Sequence, residues 1–112
     1  MLVNKSIISD IKSIIANSKD SAIRAVDHQR TLMYWHIGRR IFEEEQQGKD
    51  RADYGKFLIK YLSEQLQPEF GSGFSTRQIN LYRQFYRTFE NVHTLYAQLS
   101  WSQYKIIIRL ES

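Results

Sequence analysis

The chain has 112 residues, with sixteen Lys and Arg against twelve Asp and Glu for a formal net charge of +4, five glycines, one proline and no cysteine. A length of this order holds one core, and the missing cysteine excludes disulfides and thiol chemistry, leaving His, Asp and Glu as the strong metal ligands. Ile106-Ile107-Ile108 is the longest aliphatic run, far short of a membrane span. The polar start (Asn4, Lys5, Ser6, Asp10) lacks the apolar core of a secretory signal, so the expectation is one soluble cytoplasmic domain over 1–112.

A first helix is predicted over 4–16, because Ile7, Ile8, Ile11, Ile14 and Ile15 recur at i, i+1, i+4, i+7 and i+8 and stack on one face. Asn17 to Asp20 read as a C-cap followed by a new N-cap. A second, long helix is predicted over 21–47 with Ile23, Val26, Met33, Ile37 and Ile41 as its stripe, widened by Tyr34, Trp35 and Phe42. Gly48 is expected to close it in the left-handed conformation. Glu43, Glu44 and Glu45 sit unfavourably at the negative end of the helix dipole unless Arg39, Arg40 and Lys49 offset them. Gly38, in the helix interior, points to close approach of another helix.

Asp50 or Asp53 can cap a third helix running to about residue 67, with Tyr54, Phe57, Leu58, Tyr61, Leu62 and Leu66 on one side. Pro68 should stop or kink it. The strongest local signal follows. Ser75 is an N-cap with Gln78 as its capping-box partner, and Phe74 and Ile79 are placed as the hydrophobic staple. A fourth helix over 76–89 then buries Tyr82, Phe85, Tyr86 and Phe89. Ser100, Gln103, Leu99 and Tyr104 repeat the device ahead of a fifth helix over 101–110, for which a strand is the alternative.

Little here supports catalysis. His28 and His36 are eight apart, about 12 Å along a helix, and the His-x-x-x-His spacing is absent. Gly71-Ser72-Gly73 is not a phosphate loop, and the Glu43-Glu44-Glu45 carboxylates point in three directions. Nucleic-acid binding has more support. Residues 71–112 carry net +3 and residues 1–70 only +1. Arg77, Gln78, Asn80, Arg83, Gln84 and Arg87 lie on a helix preceded by a turn and another helix, the residue types and setting of a helix-turn-helix reader. The connection over 67–75 is longer than the usual turn of that motif.

The ordered series Tyr34-Trp35-His36-Ile37-Gly38-Arg39-Arg40-Ile41, Glu45-Gln46-Gln47-Gly48, Tyr54-Gly55-Lys56, Glu69-Phe70-Gly71-Ser72-Gly73-Phe74-Ser75, Arg83-Gln84-Phe85-Tyr86 and Gln98-Leu99-Ser100-Trp101-Ser102 resembles the N-terminal domain of the bacterial YhcG-like family. The resemblance implies a helical, winged-helix-like DNA-binding domain followed by a C-terminal nuclease domain of the PD-(D/E)xK superfamily, with a role in DNA cleavage or defence against foreign DNA. This sequence stops at Ser112, where the nuclease half would begin. Asp10-Ile11-Lys12, its only Asp/Glu-x-Lys tripeptide, lies on a predicted helix without an upstream acidic partner, so no catalytic residue carries over.

The expectation is therefore an all-α domain of four or five helices, helix-turn-helix or winged-helix-like in its C-terminal part. It would bind DNA or position a target for a nuclease system through Arg77, Gln78, Asn80, Arg83, Gln84 and Arg87. No catalytic residue, metal or cofactor is expected. The partners would be DNA and, in longer relatives, the nuclease domain. The competing expectation is a protein-interaction or homodimerisation module in which the long second helix, with Trp35 and Gly38, forms the interface.

Overall fold

The computed structural model describes residues 6–48, 53–96 and 99–111. Four α-helices follow in order: α1 (Ser6–Gln47), α2 (Tyr54–Phe70), α3 (Thr76–Thr88) and α4 (Trp101–Glu111). One 3₁₀ turn, Ser72–Phe74, precedes α3, and another, Val92–Thr94, precedes α4. The described residues contain no strand, and so no wing. The fold is all-α.

The two helices expected over 4–16 and 21–47 are one helix, α1, of 42 residues. Asn17, Ser18 and Asp20 lower helix propensity by only a few tenths of a kcal/mol each, and none removes a backbone donor as proline would. The polar cluster therefore reads as a boundary without making one. Gly48 is also corrected, since its backbone is not left-handed and its N–H donates to the Glu45 carbonyl at 3.0 Å. Its lack of a side chain matters for another reason: a Cβ there would run into the Tyr54 ring, 2.6 Å from Cε1.

Pro68 does not end α2, which continues to Phe70 with the proline inside it. The proline removes one donor in the last turn, and the Gly71 N–H closes the end by donating to the Gln67 carbonyl at 2.8 Å. Gly71 holds the positive φ of 86° that this exit needs. At the other end of α2, Asp53 occupies the cap position with φ 68° but makes no side-chain cap bond. Asp50 lies outside the described residues.

The start of α4 carries the full expected capping box, whereas the start of α3 carries only the serine cap and not the Gln78 arm. Ser75 Oγ accepts from the Gln78 N–H at 3.2 Å, while the Ser75 N–H donates to the Ser72 carbonyl rather than to the Gln78 side chain. Phe74 packs on the group that contains Ile79, as a staple requires. At α4 both arms of the box are present: the Gln103 N–H donates to Ser100 Oγ at 3.1 Å, and the Ser100 N–H donates to Gln103 Oε1 at 2.8 Å.

Two packed groups form the core. Trp35, Tyr82, Phe85, Leu95, Trp101, Tyr104 and Ile108 make the larger, and Ile41, Leu58, Ile59 and Ile79 the smaller. α3 sits between the other helices, packed most extensively on α1. Gly38 permits that contact, because a Cβ there would collide with the Tyr82 carbonyl. Trp35 and Gly38 are thus buried against the chain's own residues, which corrects the expectation that they form an intermolecular interface. Trp35 Nε1 donates to the Phe89 carbonyl at 2.5 Å and ties α1 to the end of α3.

Asp27, which no sequence pattern singled out, holds α4 in place. Its Oδ2 accepts from the Trp101 N–H at 3.0 Å across 74 residues, and its Oδ1 pairs with Arg30 at 2.9 Å. The carboxylate satisfies a free N–H and puts negative charge at the positive end of α4. Asp27→Ala should cost about 1–2 kcal/mol and Asp27→Asn less, measured by urea unfolding. Equal stability of all three proteins would contradict this anchoring role.

The Tyr82 hydroxyl donates to the Gly73 carbonyl at 2.7 Å. Burial, and then the neighbouring Tyr34, push its pKa above the ordinary 10.0, and burial moves Tyr104 in the same direction. Both tyrosines ionise more easily in the unfolded chain than in the folded one. Their contribution is therefore intact below pH 10.0 and is lost as the pH climbs above it toward the folded values. The urea midpoint should hold up to that pH and then fall, with a smaller fall in Tyr82→Phe.

Candidate nucleic-acid interface

Helical periodicity gathers Arg77, Asn80, Arg83, Gln84 and Arg87 along one side of α3, opposite the side that buries Ile79, Tyr82 and Phe85. Arg77, Asn80 and Arg87 are exposed, and Gln84 is half-buried beside them. Gln78 does not join this row. It lies toward the buried side of the helix and is half-buried.

Arg83 is committed elsewhere. Its Nε donates to Glu45 Oε1 on α1, with 26% of the Arg83 side chain and 11% of the Glu45 side chain exposed. The row carries no acidic residue of its own, but α1 supplies one. A charge from another element cannot be seen in the local pattern of α3.

Glu45 also completes the pairing of the acidic run. Arg39 Nε meets Glu43 Oε1 at 2.9 Å, and Arg40 Nη2 meets Glu44 Oε1 at 2.8 Å, both one turn apart on α1. Each carboxylate at the end of α1 thus has a cationic partner, as expected for Arg39 and Arg40. Lys49 lies outside the described residues.

A groove of about 390 Å³ runs between α2 and α3, lined by Glu45, Gly55, Lys56, Ile59, Lys60, Thr76, Asn80 and Arg83. Lys56 and Lys60 are exposed and stand one turn apart on α2, so they share the side of that helix next to α3. Neither lysine stands out in the sequence as a site residue. Their spacing from each other was visible, but the packing that sets them beside Asn80 and Arg83 was not. Among the described residues, Lys56, Lys60 and Arg83 face a single carboxylate, Glu45, in this groove, and Arg77 and Arg87 are exposed on the same side of α3 as Asn80.

The arrangement can attract and hold phosphate groups through two lysines and two exposed arginines, with Asn80 available to hydrogen-bond a base edge or a sugar. Among the described residues, no group of three His, Asp or Glu side chains could hold a metal ion. None of the described helices is long and apolar enough to cross a membrane.

Comparison with known proteins gives the same family as the sequence motifs. The DUF1016 N-terminal domain matches residues 10–112. The Escherichia coli (strain K12) protein named "Putative nuclease YhcG" is 39% identical over 79 residues, covering 70% of this chain and 21% of that protein. The chain therefore spans about a fifth of the length of this curated relative. No solved structure matches it. With nearly the whole chain matched, the protein belongs to the DUF1016 N-terminal domain family.

Proposed function

We propose that the 112 residues act as one DNA-binding or target-positioning domain of a bacterial, cytoplasmic nuclease system, with no catalysis of its own. The observation that carries this reading is the groove that brings Lys56 and Lys60 from α2 beside Asn80 and Arg83 from α3, with Glu45 already paired with Arg83 and with Arg77 and Arg87 exposed on the same side of α3 as Asn80. The name of the E. coli relative supports an association with a nuclease; on this reading the nuclease chemistry belongs to a separate part of the longer protein. The α2–turn–α3 unit presents α3 as the reading helix, with the basic side chains gripping phosphates and Asn80 and Gln84 set among them.

Two double variants test it: Lys56→Ala/Lys60→Ala and Arg77→Ala/Arg87→Ala. None of these side chains is buried, so folding should be preserved. Each pair should weaken duplex binding about 10-fold or more at low salt and reduce the slope of log K against log[salt] by about 2, since each removed contact accounts for roughly 0.9. If both variants bind as the wild type does, the basic surface is not the DNA site.

A further inference from the structure

The first half of α1 is the largest unexplained feature of the molecule. From Ser6 to Val26 every residue is exposed, so about 32 Å of helix projects beyond the packed body. The particle measures 79 × 30 × 21 Å as a result. This arm carries Ile7, Ile8, Ile11, Ile14 and Ile15, which are 49% to 63% exposed, together with Ile23 and Val26.

The body of this chain does not cover the stripe by simple continuation. At about 100° per residue, the five isoleucines centre on the side of α1 roughly opposite Thr31, Trp35 and Gly38, which face α3. The apolar side of the helix switches between its two halves. The second half serves the chain's own core, and the first half faces away from it.

We infer that this arm pairs with the arm of a second copy of the chain, isoleucine stripe against isoleucine stripe. Ile8, Ile11, Ile15, Ser18, Ala22 and Ala25 fall on successive a and d positions of a heptad, and β-branched Ile followed by small residues suits close helix–helix contact. The five stripe isoleucines and Val26 offer roughly 500 Å² of apolar surface per copy, Ile23 lying outside the stripe, so two copies together bury about 1,000 Å², the lower bound of a specific interface. The charges agree. Asp10 and Asp20 stand against Lys12, Lys19 and Arg24, close to neutral, so identical arms do not repel strongly. A lipid surface fits less well, because the arm has no Trp, Tyr or Phe and its polar side is not uniformly basic.

The test is the mass of the full chain in solution across a wide concentration range, by sedimentation or light scattering. The wild type should move from 13.4 kDa toward twice that mass as concentration rises. Ile8→Glu/Ile15→Glu should raise the dissociation constant at least about 100-fold. Ser9→Glu/Ser13→Glu, on the opposite side of the arm, should leave association unchanged. Ile8→Ala/Ile11→Ala/Ile15→Ala keeps strong helix formers in the arm and should also dissociate the pair. Near-ultraviolet circular dichroism from the buried Trp35 and Trp101 reports an intact body in every variant. A wild type that stays at 13.4 kDa throughout, or association that survives the isoleucine variants, would overturn the inference. So would a monomer that co-sediments with anionic vesicles, which would assign the stripe to a membrane.

Discussion

Gly38→Ala should destabilise the protein by about 3 kcal/mol, although the same change in an ordinary helix interior stabilises by up to about 1 kcal/mol. The Cβ would collide with the Tyr82 carbonyl oxygen, and it would lie 2.6 Å from the carbonyl carbon and 3.2 Å from the Arg83 nitrogen. All three are backbone atoms of α3, so no side chain can swing aside. Relief requires α1 and α3 to separate, and that loosens the Trp35, Tyr82 and Phe85 packing between them. Gly55→Ala is the matched control. Its Cβ would meet the Glu45 carboxyl at 3.7 Å, an ordinary contact, so the helix-propensity gain of roughly 0.5 kcal/mol should survive. Thermal or urea unfolding of the two variants should move in opposite directions. Movement in the same direction would contradict the close α1–α3 approach.

Glu45→Gln should separate stability from binding. The substitution removes the charge that faces Arg83 in a partly buried pair, which should cost about 2 kcal/mol. It also removes the carboxylate that, among the described residues, lines the α2–α3 groove, and it releases Arg83 toward solvent. Under the proposed function, duplex DNA should bind about 3- to 10-fold more tightly at low salt, with a salt slope steeper by roughly 1. A less stable protein with higher DNA affinity is an outcome that a purely structural role for Arg83 does not produce. Unchanged affinity would detach this groove from DNA.

Local chemistry made much of the fold legible in advance. The Ser75 and Ser100 caps, the Phe74 staple, the buried side of α3 and the helix contact at Gly38 each depend on residues within a turn or two, or on the absence of a side chain. The two boundaries that differ do so for separate reasons. Asn17 to Asp20 lower helix propensity only slightly and leave every backbone donor in place, so α1 runs through them. Pro68 removes one donor but stands in the last turn of α2, which runs two residues past it. Gly48 does not close α1 in the left-handed conformation; its missing side chain makes room for Tyr54, six residues on, which a local pattern does not show. The candidate site was legible only on α3. Arg77, Asn80 and Arg87 lie where periodicity put them, whereas Glu45 claims Arg83, and Lys56 and Lys60 join from α2. Each of these depends on how helices far apart in sequence come together. The Asp27 contact to α4 was hidden for the same reason.

Binding of the DNA phosphate backbone by the α2–α3 surface, as proposed, is tested most directly by the affinity of the wild-type chain for a short duplex measured over a series of salt concentrations. Four exposed cations on this surface predict a log–log slope of about −3 to −4. Binding that is undetectable at low salt, or an affinity that does not change with salt, would contradict the account.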